Sequence, residues 1–517
     1  MPSRALSGYV EELLEVRGLP GLSLAVTDRD GLVALATFGY ADLSARRPVA
    51  PETAFEHGSI GKTFTAVLLL QLHDEGRLDL QAPVARYLPW FDVRSEHGPV
   101  ALHHLLTHTA GIVMGSDVSA DSRFDVWALR ETETGFAPGE RFHYSNVGYR
   151  TLGYLLEELT GRPYAKLVRE RILKPLGMVA TDPAVTGETR RCLAVGYERW
   201  YDDRPHRRHD PWVPAPWLET STADGSLAGT AEDLAVFLRA LLNRGSGLLA
   251  PESFELMLRE ANEGTYGYGL ESRGTLVRHG GSMPGFGSTM LGDLEAGLGV
   301  VVLVNSTDEG SLTEEVAEAA LDLYRGASAA LPTVPDPLVV ESAEDYAGTY
   351  ASAELRLVLA AEGERLVLEH AGARVPLERR RGDRFLADHP AFALFPLAFE
   401  RDGDEVVAAI HGSDVYAREG ARTLPADSPP PEWSAYPGHY RAYNPWLTNF
   451  RILLRRDRLL LAYPRGPEDA LTPLEDGLFR VGEDEWSPER LRLDAIVDGH
   501  ALRANLSGCD YFRVPGP

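Results

Sequence analysis

Cysteine is nearly absent from this chain of 517 residues: only Cys192 and Cys509 occur, far apart. Two thiols so separated build no disulfide framework, and no C-x-x-C pair suggests a metal clamp. They read as core or surface thiols. Lysine is scarce too. Of 51 lysines and arginines, only Lys62, Lys166 and Lys174 are lysines, so a motif that needs one is hard to meet by accident. No apolar run reaches the roughly eighteen residues that a membrane-crossing helix needs. The opening MPSRALSGYVEELLEVRGLPGLSLAV reads as an amphipathic helix, with Glu11, Glu12 and Glu15 on its polar side. It lacks the uninterrupted apolar core of a signal peptide. Positive charge is also short, and the net charge is -25. Such a chain repels phosphate backbones and anionic lipid. The expectation is a cytoplasmic protein with no nucleic-acid and no membrane partner.

What is present is an ordinary globular composition, 44% hydrophobic and 25% charged, at a length that implies more than one domain. Residues 21–43 read as two strands joined at Asp30-Gly31. Residues 62–72, KTFTAVLLLQL, are apolar nearly all round and predict a helix in the middle of a domain, with Gly76 as its C-cap. Helical patterns follow at 147–160, 163–174 and 231–243. The last has Thr230 as N-cap and Glu232 and Asp233 in its first turn. Strands are expected at 275–279, 286–292 and 298–305, then a helix at 313–324. This predicts one mixed α+β domain over 1–330, its sheet closed by the two ends of the segment.

A proline-rich linker is expected at 329–337, followed by short alternating strands. A second proline run, Ser428-Pro-Pro-Pro431, divides them. The halves read as a diverged repeat: Tyr346-Ala-Gly-Thr-Tyr350 opens one and Tyr436-Pro-Gly-His-Tyr440 the other. Asp414-Val-Tyr416 and Asp510-Tyr-Phe512 are read as their matching ends. Two small antiparallel barrels over 338–424 and 432–517 are expected.

Three short motifs carry chemistry. Ser59-Ile60-Gly61-Lys62 sets a hydroxyl and an amine three apart, on one face of a helix. Serine is a poor nucleophile until a neighbour takes its proton, and a lysine in a dry pocket can do so. Tyr144-Ser145-Asn146 offers a phenol that can relay a proton beside an ammonium, and an amide that can hold a substrate. His279-Gly280-Gly281-Ser282 ends a strand where paired glycines let a substrate backbone lie close as an added strand.

Alone each motif is ordinary, but their surroundings are not. FEHGSIGKTFTAVLLLQLHDEGRLDL resembles the nucleophile helix of class C β-lactamases, DD-peptidases and their relatives. LHHLLTHTAGI, FHYSNVGYRTLGYLLEELTGRPY, ADGSLAGTAEDLAVFLRALL and RHGGSMPGFGS look like later segments of that superfamily, in order, over about residues 5–326. The resemblance implies a β-lactamase-like domain, an antiparallel sheet flanked by helices, followed by two lipocalin-like barrels. It implies Ser59 as acylated nucleophile, Lys62 as its partner, Tyr144 as general base and His279 as a third catalytic position. Asn146, Gly280, Gly281 and Ser282 would bind substrate, and the N–H groups of Ser59 and Ser282 would form the oxyanion hole. No cofactor or metal is implied.

His279-Gly280-Gly281 departs from the superfamily's usual Lys-Thr-Gly. A histidine mostly neutral at pH 7 and a glycine without hydroxyl suit a substrate carboxylate poorly. This branch resembles D-aminopeptidases, amidases and esterases, and the three-part layout resembles D-aminopeptidase most. The expected substrate is a small molecule or short peptide. Acyl transfer or cyclisation, DD-carboxypeptidase action, weak β-lactamase action and a non-enzymatic scaffold stand as alternatives. Homo-oligomerisation is left open.

Other features read more blandly. His103, His104 and His108 are expected to serve packing and loop hydrogen bonds. Residues 204–210 read as a solvated flap beside the site, and Trp212 and Trp217 as cleft wall or core. Residues 441–450, with Tyr443 and Trp446, are expected either to reach the cleft of Ser59 as a lid or to plug their own barrel.

Overall fold

In a computed structural model, the chain is described at residues 3–115, 122–259, 266–307, 312–326, 331–353, 355–421, 428–465 and 467–515. The central sheet has seven strands. β1 (Gly21–Asp28), β2 (Leu32–Asp42) and β3 (Arg47–Pro48) come from the start of the chain. β4 (Glu271–Arg273), β5 (Leu276–Met283), β6 (Phe286–Asp293) and β7 (Leu298–Val304) come from 250 residues later. The order is β3-β2-β1-β7-β6-β5-β4, so the two ends of the segment meet at the β1–β7 pair.

Period-2 alternation dictates the layers. Leu22, Leu24 and Val26 of β1 and Val300, Val302 and Val304 of β7 face one side. There they pack on α1 (Arg4–Arg17) and a helix at Leu312–Tyr324. Ala25, Val301 and Leu303 face the other side, toward α2 (Gly61–Asp74), α3 (Asn146–Thr160) and α4 (Ala231–Leu242). α2 is buried on every face, as its composition requires. Thr230 caps α4 through the Asp233 N–H. The helix expected over 163–174 is interrupted: Tyr164–Val168 is α-helical and Arg169–Leu173 forms a π turn. Among the described residues no helix is long and apolar enough to cross a membrane.

Two closed eight-stranded antiparallel barrels follow, β8–β15 from Gly348 to Arg418 and β16–β23 from Gly438 to Arg513. In each the first strand pairs with the last, Tyr350 opposite Arg418 and Tyr440 opposite Arg513. The repeat shows in one hydrogen bond. The Tyr350 hydroxyl donates to the Tyr346 carbonyl, and that of Tyr440 to Tyr436, both at 2.8 Å. The closing match needs correction. Those pairings align Tyr416 with Tyr511, both buried, while Phe512 faces outward. A one-residue slip in a strand turns every side chain to the opposite face. Both interiors are filled with side chains, among them Tyr346, Phe385 and Phe399 in the first and Phe450, Phe479 and Tyr511 in the second.

Of the proline-rich linker, Ala329 and Ala330 lie outside the described residues. The remainder is no free tether: Val334 is buried against the sheet core and the Pro337 carbonyl accepts the Arg379 N–H. Residues 204–210 are likewise packed. Arg207 bonds Asp388 and the Ala387 carbonyl of the first barrel, and Arg380 donates to the His206 carbonyl. His206 is buried. This loop joins body to barrel instead of forming a solvated flap.

Candidate active site

Ser59 lies in a 3-10 turn, Gly58–Ile60, that feeds directly into α2. Gly58 makes the turn feasible. Its φ is +54°, and a Cβ there would stand 2.6 Å from the Ser282 nitrogen. The Ser59 turn therefore packs against the backbone of β5. Ser288 on β6 fixes the same turn by donating to the His57 carbonyl at 2.8 Å.

Lys62 opens α2 and is fully buried, 0% exposed. Burying an amine without partners is costly. Here Nζ lies 3.0 Å from Ser59 Oγ, 2.8 Å from Asn146 Oδ1 and 2.8 Å from the Asp224 carbonyl. Three acceptors match the three donors of an ammonium. One turn along α2, Thr65 donates to the Ala223 carbonyl, so the helix grips residues 223–224 twice.

Behind Asp224 lies a buried ion triad. Arg150 Nε reaches Asp224 Oδ2 at 3.1 Å and its NH1 reaches Asp125 Oδ2 at 2.8 Å. Burial alone would raise the Asp224 carboxyl, but Arg150 and Lys62 outweigh it and hold the group below the ordinary carboxylate range. Such triads break at large cost when one member is removed.

Tyr144 sits at the entrance to α3, its ring 4.9 Å from Lys62 Nζ. His108 supports it from below, ring centroids 4.2 Å apart. His108 is strained and buried: φ is +56° and Nδ1 accepts the Ser145 N–H at 3.0 Å. Burial and the nearby Lys62 keep its ring neutral. The Ser145 hydroxyl caps α3 at the Gly148 N–H and donates to the Val113 carbonyl.

His279 belongs to an unbroken ladder with β6, without a bulge. It is 5% exposed. Nδ1 lies 2.6 Å from the Gly280 carbonyl, which places the proton on Nδ1. Nε2 then accepts from the Tyr266 hydroxyl at 2.8 Å. Burial first, and the Lys62 charge second, push its pKa down to about 3. Gly280 and Ser282 are exposed on β5. Pairing of β4 with β5 ends at Arg278, so among the described residues no strand pairs with the outer edge of β5 from His279 onward.

Sequence reasoning thus named Ser59, Lys62, Tyr144, Asn146, His279, Gly280, Gly281 and Ser282, and the structure gathers them. It missed Arg150, Asp125, Asp224, Tyr266 and the part of His108 under Tyr144. Arg150 carried a signal, lying four residues after Asn146 on the same helix face. The other two histidines serve the loop as expected, His103 bonded to Tyr268 and His104 to the Ala101 N–H. Trp212 stacks on Arg199 and donates to the Gly18 carbonyl, so it belongs to the packing around the end of α1. Trp217 packs beside Ala54 and Leu193.

Residues 441–450 dock against the body. Arg441, Thr448 and Asn449 all hold Asp202 on the body. Tyr443 is wholly exposed and Trp446 40% exposed, so neither aromatic plugs the barrel. Asn444 does so, against Tyr511 and Cys509. A different loop of the second barrel, residues 482–489, approaches Tyr144. The Glu489 carboxylate accepts from the Met114 N–H at 2.6 Å and from His143 at 3.0 Å.

A model of the β-lactamase family matches residues 6–325. The Staphylococcus aureus (strain N315) protein flp is 26% identical over 325 residues, 58% of this chain and 62% of flp. The chain thus spans about three fifths of the length of that curated relative. An uncharacterised Mycobacterium tuberculosis protein is 31% identical over 281 residues, 48% of this chain and 69% of that protein. Among solved structures, the octameric penicillin-binding protein homologue from Pyrococcus abyssi is 27% identical with a TM-score of 0.61, covering 80% of this chain and 98% of its own. Staphylococcus aureus FmtA shares the fold at 22% identity and a TM-score of 0.52, covering 62% and 89%.

Proposed function

The chain belongs to the β-lactamase family, and from that premise we propose that it is a serine hydrolase acting on small amides, peptides or esters through an acyl-enzyme on Ser59. The observation that carries this reading is the Lys62 amine, buried and shared among Ser59 Oγ, Asn146 Oδ1 and the Asp224 carbonyl. Ser59 Oγ adds to the scissile carbonyl while its proton passes to the Tyr144 oxygen, which acts as a phenolate beside the Lys62 ammonium and becomes the phenol. The tetrahedral oxyanion is met by the N–H groups of Ser59 and Ser282. Collapse breaks the bond to the amine or alcohol, which leaves with the proton from Tyr144. Water then attacks the Ser59 ester, and Tyr144 moves its proton in the same way to release the acid.

The preferred acyl group is uncharged at the third motif. His279 presents no cation, because both ring nitrogens are engaged and burial keeps it neutral. Its part is to support the β5 edge on which Gly280, Gly281 and Ser282 would pair with a substrate backbone. The layout of body and two barrels favours D-configured or N-terminal residues, as in D-aminopeptidase. Assays with p-nitroanilides of D- and L-amino acids, p-nitrophenyl esters and nitrocefin test this. Turnover of esters or anilides with little of nitrocefin supports it. Nitrocefin hydrolysis equal to the best ester would overturn the third-motif argument. Self-association is also proposed, by likeness to the octameric Pyrococcus abyssi protein, and light scattering would report a mass above that of one chain.

A further inference from the structure

Among the described residues, two of the contacts between the second barrel and the body differ in kind. At one, Asp202 on the body pairs with Arg441 and takes hydrogen bonds from Thr448 and Asn449. This is a surface dock. At the other, loop 482–489 runs against Met114 and against residues 135–143, which lead into Tyr144-Ser145-Asn146. Gly135 permits the approach: a Cβ there would stand 2.1 Å from the Trp486 carbonyl oxygen. The Trp486 ring meets Phe136 and His143 at 5.7 and 6.2 Å between centroids.

Glu489 closes this contact. One carboxylate oxygen takes the Met114 N–H and the His143 ring N–H, and the other takes the Ser507 hydroxyl. The side chains of His143 and Glu489 are 15% and 18% exposed. Burial would raise the Glu489 carboxyl, but the bonds from His143, Ser507 and Met114 outweigh it and hold it below the usual glutamate range. The two groups it holds on the body are not arbitrary. The Met114 carbonyl accepts the N–H of Asn146 at 2.8 Å and of Val147 at 3.2 Å, the first amides of α3. His143 immediately precedes Tyr144, and its own N–H donates to the carbonyl of His108, on whose ring Tyr144 rests. One carboxylate, 346 residues away in sequence from His143, therefore holds both segments that set Tyr144 and Asn146 against Lys62.

We propose that Glu489 of the second barrel is a positioning residue for the reaction at Ser59, locking Met114 and His143 so that Tyr144 and Asn146 face Lys62. This rests on the reading of Ser59 as nucleophile and Tyr144 as proton carrier. A catalytic group displaced by about 1 Å can cost about a hundredfold in rate.

The test uses the full chain and the best ester from the panel. Glu489→Ala should lower kcat by roughly ten- to a hundredfold with KM within about threefold. Glu489→Gln keeps an acceptor oxygen for Met114 and His143 and should recover most of that loss. Arg441→Ala weakens the other dock and should leave kcat near wild type. A Glu489→Ala enzyme with wild-type kcat would overturn the proposal. So would a loss shared equally by Arg441→Ala and not recovered by Gln, because that pattern means docking alone. If Glu489→Ala does not fold, His143→Leu opens the lock from the other side, and an unchanged kcat there is equally fatal. Labelling wild type with a fluorophosphonate keeps the premise separate. Label at Ser59 with indifferent Glu489 variants sinks only the lock, whereas no label at Ser59 sinks both.

Discussion

Each partner of Lys62 implies a distinct consequence of substitution. Ser59→Ala should abolish fluorophosphonate labelling with thermal unfolding unchanged, and label surviving on another serine would reject the assignment. Tyr144→Phe keeps the ring on His108 but removes the hydroxyl. It should slow turnover by about two to four orders of magnitude, the usual worth of acid–base catalysis, and a rate within about threefold of wild type would remove Tyr144 from the chemistry. Three residues before Ser59, burial pushes the Glu56 carboxyl up to about 8 from an ordinary 4.5. The sign follows from proton counting. Between those values the unfolded chain has released the proton and the fold still holds it, so the native state binds more protons and stability falls as pH rises. The contribution is whole below 4.5 and lost by about 8. Glu56→Gln should flatten the decline of unfolding temperature between pH 5 and 8, and parallel curves for the two proteins would count against it. At this scale Ser59, Lys62, Tyr144 and Asn146 were legible because they stand in short motifs in a fixed order. Asp224 was not, since its backbone carbonyl meets Lys62 and a carbonyl leaves no trace in the residue type. Tyr266 and Glu489 act only through tertiary contact, and no local spacing announces them.

The elements were legible where one period governs them. β1, β6 and β7 alternate or run apolar, and α2 is apolar on all sides, so their type followed from composition. The π turn in Arg169–Leu173 was not, because nothing in the helical pattern of 163–174 marks an extra residue in one turn. The barrel repeat was legible at its opening, where a tyrosine five-residue motif recurs. At its close the Asp-x-Tyr likeness misled by one position, because face and not letter defines a match in a strand. The junction of the 3-10 turn with β5 carries its own prediction. Gly58 holds φ +54° and faces the Ser282 nitrogen at 2.6 Å from an ideal Cβ. Gly58→Ala must adopt a left-handed backbone, at a cost of about 1–2 kcal/mol, and must push the turn from β5. The two N–H groups proposed for the oxyanion would then part, and loss of one such donor costs about a hundred- to a thousandfold in kcat. The variant should keep its fold at reduced stability, lose kcat on that scale and acylate slowly. A variant with wild-type kcat would show that the close approach of Gly58 and Ser282 does not matter to the reaction.

For the whole molecule, the net charge of -25 acts on every approaching ligand. Ion pairs such as Arg207–Asp388 and Arg456–Glu400 join the parts and cancel locally, but they leave the acidic excess in place. A field of this sign repels anions and gathers cations, and salt with a Debye length of about 10 Å at 0.1 M screens it. Inside the cleft the neutral His279 offers an anionic substrate nothing to offset that repulsion. Two matched p-nitrophenyl esters, one with a cationic and one with an anionic acyl group, separate the effects. KM for the cationic ester should be the lower at low salt and should rise as salt is added, whereas KM for the anionic ester should fall. kcat should change little for either, because the Ser59–Lys62 chemistry is buried and screened least. If both KM values move together, long-range charge has no part in substrate selection. If the anionic ester binds better at every ionic strength, a cation serves the cleft and the neutral reading of the third motif fails.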